Sequence, residues 1–376
     1  MRFFGEIEKA AFVSRPNRFV VECLLDGNKA KASLPNPGRL WELFFPGVTL
    51  YLEKALNMET KYRHKVVAVD RDGSPIVLHT HKSNDIVISL LEKRLIPGLE
   101  DAKLIGSEVK RGGSRFDLLL EKGGQKFLAE IKSCTLFGRN IAMFPDAPSL
   151  RGKRHVEELA ELKSGNNKNV VLFLIHRPGI KCFIPDYHTD PRFSDTLHSL
   201  RNEIDIIPLT IRWNPDLSLS NKVKRVDIPW QIVERESGNR GTYLVILKLD
   251  EKKEIAVGKL SKIPFREGYY VYIGSALNNL DKRVERHKRW RKRLRWHIDY
   301  LRAESTFHNS IAIRSGDRLE CDIAREMKKI GEWEAPGFGC SDCFCSSHLF
   351  GIKTDPLMSR SFIDMIQYYR IDRLEK

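Results

Sequence analysis

The chain has 376 residues, of which 41% are hydrophobic and 30% charged, with a formal net charge of +15. That size holds two or three domains with cores of their own, and the charge calls for a polyanionic partner, nucleic acid before an anionic membrane surface. Apolar runs are of strand length, the charged start Met1–Lys9 is no signal peptide, and seven cysteines are too odd a number for a disulfide framework, so a reducing, cytoplasmic setting without membrane contact is expected.

Residues 1 to about 82 read as β-rich. Phe19–Leu25 is a strand, Asp26-Gly27-Asn28 turns it, and Lys29–Leu34 returns. Val48–Leu56 and Tyr62–Val69 add strands, with a turn at Asp70–Gly73. Short strands at regular spacing suggest a small barrel. Asn36-Pro37-Gly38-Arg39 reads as a Pro-Gly turn. Asn84 to about Pro97 follows a helical period, with Ile86, Leu90, Leu91 and Leu95 apolar and Asn84 or Asp85 as cap.

The stretch Arg115–Lys132 reads as two strands joined at Gly123-Gly124, a pair suited to a two-residue turn with positive φ. Lys122 then faces Gln125, and counting back sets Asp117 opposite Glu130, with Lys132 on the same face. Two adjacent carboxylates raise each other's pKa unless a cation lies between them. Magnesium or manganese takes such oxygen ligands together with phosphate, and a nearby lysine orients water or neutralises developing charge. The other reading is a cross-strand network on a solvated sheet face. Glu108 is either a third carboxylate or a surface residue.

Ser149–Lys163 reads as a helix with Leu150, Val156, Leu159, Ala160 and Leu162 apolar, and it sets Arg151 and His155 on one face. Val170–Ile175, Cys182–Pro185 and Ile204–Ile211 read as strands, which gives an α/β core. Glu234–Arg240 is polar and reads as a linker. Strands follow at Gly241–Leu247 and Val271–Ser275, then a basic helical stretch over Asp281–His297. There Lys282, Arg286, His287, Arg289 and Arg291 interleave with tryptophans, a density that favours nucleic acid over a merely solvated face. Cys340, Cys343, Cys345 and His348 offer four ligands for a closed structural zinc site, in which Cys321 could replace one. Asp364–Lys376 is a charged helical tail with Ile366 and Tyr369 packing back.

Asp117 with Glu130-Ile131-Lys132 resembles the core of the PD-(D/E)xK nuclease superfamily, although Phe116 stands where that label has proline. Leu34–Leu40, Ser114–Asp117 and Phe144–Pro148 followed by Arg151, Gly152 and His155 resemble the sugar fermentation stimulation protein (SfsA) family over about residues 1–235. That resemblance implies an OB-like barrel over 1–82 and a PD-(D/E)xK-like α/β domain over 83–235. It implies Asp117 and Glu130 as magnesium ligands, Lys132 as catalytic partner, and Arg39, Arg115, Arg151 and His155 near phosphate. Gly241-Thr242-Tyr243 and Tyr272-Ile273-Gly274, with Arg283 and Glu320, resemble the GIY-YIG nucleases of the compact archaeal type, over 240–376. That second resemblance implies Tyr243 or Tyr272 activating water, Arg283 stabilising phosphate and Glu320 holding magnesium.

The expectation is therefore an α/β and α+β multidomain chain that binds nucleic acid, DNA before RNA, and hydrolyses it with a metal. The alternative is a regulatory binding protein on nuclease-like scaffolds. Self-association is open on either reading, and nothing in the residues points directly to sugar chemistry.

Overall fold

The computed structural model describes residues 1–55, 61–163 and 168–375; Leu56 and Lys376, the ends of an expected strand and tail, lie outside them. The described chain forms two compact units, 1–230 and 231–374.

The first unit begins with Ile7–Asn17, Val20–Leu25, Asn28–Ser33, Thr49–Lys54 and His64–Arg71. These five strands form one sheet, and parallel pairing of Ala32 with His64 closes it, while Ser74–Val77 extends it. Closure removes the exposed edges that an open sheet leaves. Val21, Ala32, Leu50, Leu52 and Val67 fill the interior. The expected barrel is present and is OB-like.

The second sheet runs in the order Leu219–Arg225, Asp205–Trp213, Val170–Ile175, Gln125–Cys134, Ser114–Lys122, Lys103–Arg111. Val170–Ile175 lies between two parallel neighbours and is buried along its whole length, as a central parallel strand covered on both faces must be. The helix Ser83–Glu92 lays Ile86, Val87 and Leu90 into one core with Leu118, Leu120, Ala129 and Ile131. Glu130 and Lys132 leave the same strand on its other side, where the helix Leu150–Glu161 packs.

Two helix details differ from expectation. Ser83–Glu92 ends short of Leu95 because Arg94 takes a left-handed φ of 56°. Leu150 is 76% exposed. It opens its helix after Ser149, whose hydroxyl accepts from Gly152 N, and this phase buries Gly152, His155, Val156 and Leu159 instead.

In the second unit, Thr306–Arg314, Gly241–Leu249, Gly268–Ala276, Leu349–Ile352 and Trp333–Glu334 form an antiparallel sheet in that order. Helices Leu280–Lys288, His297–Ala303, Glu320–Ile330 and Arg360–Arg370 surround it. The last buries Ile366 and Tyr369, as expected. The predicted linker is partly helical. Trp230–Glu236 is a helix, and Glu236 is buried with Arg235 at 2.7 Å and Arg373 at 2.5 Å.

The basic stretch is not one helix. It ends at Lys288, with Arg289 extended, and resumes at His297. The cause is Asp299, which is fully buried. Its carboxylate takes two bonds from Arg286 at 2.8 and 3.0 Å, an ion pair from Lys292 at 2.9 Å, and the N–H groups of Arg295 and Trp296 at 3.0 Å. Burial alone would raise this carboxyl, but those cations and N–H groups hold it well below its ordinary value. A continuous helix could not bring 286, 292 and 295 to one anion.

Tyr243 sits directly across from Gly274. A Cβ on Gly274 would come within 2.5 Å of the Tyr243 hydroxyl, so the glycine makes the space that the ring fills. Gly274→Ala should therefore destabilise this unit by about 1–3 kcal/mol through overpacking, measured by denaturant unfolding. Unchanged stability would show that the Tyr243 ring does not depend on this space.

Candidate active site and metal-ligand cluster

The turn at Gly123-Gly124 has φ of 58° and 75°, and the ladder pairs Lys122 with Gln125 back to Leu118 with Ala129. The regular ladder ends there, so the expected Asp117–Glu130 pair is not part of it, and the Asp117 carboxylate itself bonds the facing strand. Its Oδ2 accepts from Ile131 N at 2.7 Å and its Oδ1 from Asn84 Nδ2 at 3.1 Å. Asn84 also donates to Glu108 Oε1 at 3.3 Å. Asn84 is thus not the expected helix cap: it stands inside the first turn and reaches the acids. Glu108, with an unusual φ of 53°, sits level with Asp117 between two regular pairs of the neighbouring strand. A non-glycine residue in that conformation beside a polar cleft marks a position held by its surroundings.

Glu130 is buried. Its Oε1 accepts from Lys132 Nζ and from His155 Nδ1, both at 2.6 Å. Arg151 Nε donates to His155 Nε2 at 3.3 Å. A guanidinium can only donate, so His155 must carry its proton on Nδ1 and give it to Glu130. Burial pushes the Glu130 carboxyl up, and His155 and Lys132 outweigh it, leaving the group lowered. Its second oxygen, Oε2, is buried without a partner. The Asp117 carboxyl is raised, first by burial and then by the charge of Glu130. A buried acid with one free oxygen beside a second, half-buried acid fits a hard cation, because the donors are all oxygen.

Of these groups Asn84, Glu108, Asp117, Lys132 and Arg151 line a cleft of about 630 Å³, within the usual size of a ligand site. Gly38 and Arg18 from the barrel also line it. Asp146 ties barrel to core. Its carboxylate accepts from the N–H groups of Arg39 at 2.8 Å and Leu40 at 3.0 Å, and a Cβ on Gly38 would meet it at 2.7 Å. Burial raises the Asp146 carboxyl against these bonds. Arg39 contributes its backbone here, while its guanidinium lies 5.0 Å from the centre of the Trp41 ring. Arg115 is exposed and pairs with Glu108 at 2.9 Å.

In the second unit, Tyr243, Tyr272 and His287 form one buried group, with ring centres 5.3 to 6.4 Å apart. Tyr243 Oη lies 3.0 Å from His287 Nε2. Both tyrosines are raised, chiefly by burial. Burial and the Lys292 cation lower His287 to about 3, so it is neutral at pH 7. The expectation that His287 and Arg286 face nucleic acid is corrected: His287 is 1% exposed against Tyr243, and Arg286 is bound to Asp299. Arg283 lies 4.5 Å from the Trp296 ring centre. Lys282, Arg289 and Arg291 are exposed, the last two flanking an exposed Trp290.

The ligand atoms of Cys321, Cys343, Cys345 and His348 all lie within 4.8 Å of one another. The group differs from the first expected set at one position: Cys340 is outside it and Cys321 takes its place, the replacement that the sequence left open. The spacing of the loop cysteines carried no sign of which thiol the helix Glu320–Ile330 would bring. Glu320, expected to hold magnesium, accepts from His348 Nδ1 at 3.1 Å. It lines a cleft of about 570 Å³ with Thr242, Ser275, Cys321, Cys343 and His348. Asn84, Arg18 and the His155–Glu130 bond were not read from the sequence as parts of a site. Each depends on a contact between distant segments.

Comparison with known proteins accounts for both units. A family profile described as the SfsA N-terminal OB domain matches residues 13–78, and the sugar fermentation stimulation protein RE domain matches 81–216. A domain of unknown function, DUF123, matches 242–370. A sugar fermentation stimulation protein homolog of Methanothermobacter thermautotrophicus is 34% identical over 224 residues, 59% of this chain and 93% of that protein. One from Moorella thermoacetica is 38% identical over 191 residues, 50% of this chain and 82% of that protein. The solved structure of Pyrococcus furiosus SfsA in complex with Ca2+ aligns with a TM-score of 0.53 at 27% identity, covering 59% of this chain and 96% of that one. With its OB barrel, its mixed-sheet core and these relatives, the chain belongs to the sugar fermentation stimulation protein family and carries a DUF123 domain after the family's two.

Proposed function

We propose that residues 1–230 bind nucleic acid, DNA before RNA, and hydrolyse its phosphodiester bonds with a divalent cation, magnesium or manganese. The observation that carries this is Asp117 on an open cleft together with the buried Glu130, one of whose carboxylate oxygens is left without a partner. The calcium held by the Pyrococcus furiosus relative supports it. On this reading residues 83–235 are a PD-(D/E)xK-type core and 1–82 a nucleic-acid-binding barrel.

Asp117, Glu130 and, from the facing strand, Glu108 would hold the cation, which when bound polarises phosphate and lowers the pKa of water. The chain's own groups set the rest. Asn84 and Ile131 N fix the Asp117 carboxylate. His155 and Lys132 fix Glu130 through one oxygen and leave the other without a partner. Lys132 neutralises charge that grows on phosphate. Arg151, exposed at the rim, and Arg18 on the barrel side take neighbouring phosphates. For 240–376 the same reading assigns a GIY-YIG-type domain with Tyr243, Tyr272 and Arg283 as its reacting group. The exposed Lys282, and Arg289 and Arg291 flanking Trp290, favour nucleic-acid binding by this unit even without turnover.

The test is cleavage of labelled single- and double-stranded DNA and RNA with magnesium or manganese, against chelator. Asp117→Asn and Glu130→Gln should each lower cutting by at least ~10²-fold, and Lys132→Met by ~10²–10³-fold, with binding near that of the unaltered chain. Salt-sensitive binding with no cutting of any substrate would replace the nuclease with a binding protein.

Asp117 also predicts a stability effect. Its folded pKa is raised, so between the unfolded and folded values the folded state holds more protons than the unfolded one. Stability then falls as pH rises through that interval and stays lower above it. Asp117→Asn should raise the melting temperature at pH 7, and magnesium should raise that of the unaltered chain more than that of the variant. A variant that melts lower, with an unchanged response to magnesium, would mean that the buried charge is already compensated.

A further inference from the structure

We infer that Cys321, Cys343, Cys345 and His348 bind one zinc ion in the second unit, and that Glu320 is a positioning residue for this metal rather than a ligand of magnesium. The donors come from separate segments: Cys321 from the first turn of the helix Glu320–Ile330, Cys343 and Cys345 from the loop before the strand Leu349–Ile352, and His348 from its edge. Three sulfurs and one imidazole nitrogen are the donor set of a closed tetrahedral zinc site. Zinc–sulfur and zinc–nitrogen bonds of about 2.3 and 2.0–2.1 Å place a tetrahedral sulfur and nitrogen about 3.6 Å apart. Cys343 Sγ and His348 Nε2 are 3.4 Å apart.

The histidine is set up for ligation. Its Nδ1 lies 3.1 Å from Glu320 Oε1. A carboxylate can only accept, so the ring proton sits on Nδ1 and the Nε2 lone pair faces the thiols. This is the carboxylate–histidine arrangement that orients a metal-bound imidazole and raises its basicity. Glu320 and Cys321 are neighbours, so one helix end supplies both a ligand and the group that aims another.

The site also has a purpose in the fold. Gly339, with φ of 73°, lies so close to Tyr272 that a Cβ there would meet the ring at 2.9 Å. The metal would staple the loop carrying Cys343 and Cys345 to the helix, and so keep Tyr272 covered.

The experiment uses the full chain, purified without chelator and washed with magnesium to clear oxygen-ligand sites. Elemental analysis should find one zinc per chain, and cobalt substitution should give the strong visible and thiolate charge-transfer bands of a tetrahedral sulfur-rich site. The charge-transfer bands require thiolate ligands, which the Asp117 cleft lacks, so the result stands or falls separately from that site. Cys321→Ser should lose the bands, and Cys340→Ser should keep them along with the full zinc content. Glu320→Gln should still bind zinc, ~10–100-fold more weakly. Folding of each variant is checked by the far-UV spectrum. Absence of zinc, a mass lower by two hydrogens from a disulfide among these thiols, or loss of zinc in Cys340→Ser with retention in Cys321→Ser would each overturn the assignment. An unchanged zinc affinity in Glu320→Gln would remove the positioning role.

Discussion

The first unit turns on one buried carboxylate. Glu130 leaves a strand whose neighbour, Val170–Ile175, is wholly apolar, and an acid there is costly unless its oxygens are bonded. Only one oxygen is. Lys132 and His155 converge on Oε1, and Arg151 fixes the tautomer that lets His155 do so. An apolar residue would pack this position at lower cost. The fold therefore concentrates a lysine, a histidine and an arginine on a group that adds nothing to core packing, an arrangement that makes sense for a site and not for stability. The raised Asp117 beside it carries the same meaning.

The second unit repeats the motif with the opposite result. Asp299 is also buried and also surrounded by cations, yet all its capacity is used: Arg286, Lys292 and two backbone N–H groups leave no oxygen open. That carboxylate is architectural. It breaks the basic stretch into two helices and turns two of its cations inward. A net charge of +15 thus overstates the cationic surface, because Arg286 and Lys292 serve the fold, while Lys282, Arg289 and Arg291 remain outside.

Much of this was legible in the chain. Gly123-Gly124 set the hairpin and its register, short strands at regular spacing marked the barrel, and a continuous apolar run marked the buried Val170–Ile175. Local signals reached no further than their own segments. Asn84 looked like a cap because polar residues at a helix start usually are; its true partner, Asp117, is 33 residues away. Leu150 looked apolar and inward, but the phase set by Ser149 turned it out. The basic run looked like one helix because nothing within it shows the pull of Asp299. Cys340 looked like a ligand because it sits beside the others in the chain, whereas Cys321 joins them only through the packing of a helix.

The two candidate centres differ in the chemistry of their donors, and this separates their metals. The acids Asp117, Glu130 and Glu108 offer only oxygen, which suits magnesium, manganese or calcium, and the cleft beside Asp117 leaves room for phosphate as a further ligand. The cluster at Cys321 offers three sulfurs and a nitrogen, which suits zinc, and has no position left for a substrate once four donors are engaged. A hard ion gains little from thiolates, and a closed sulfur site holds its ion through washes that strip a carboxylate pair. On the proposed reading, one ion would exchange with substrate while the other would stay with the fold. The bond from Glu320 to His348 belongs to the second kind: it spends a carboxylate on aiming a ligand, and so takes that carboxylate away from direct catalysis.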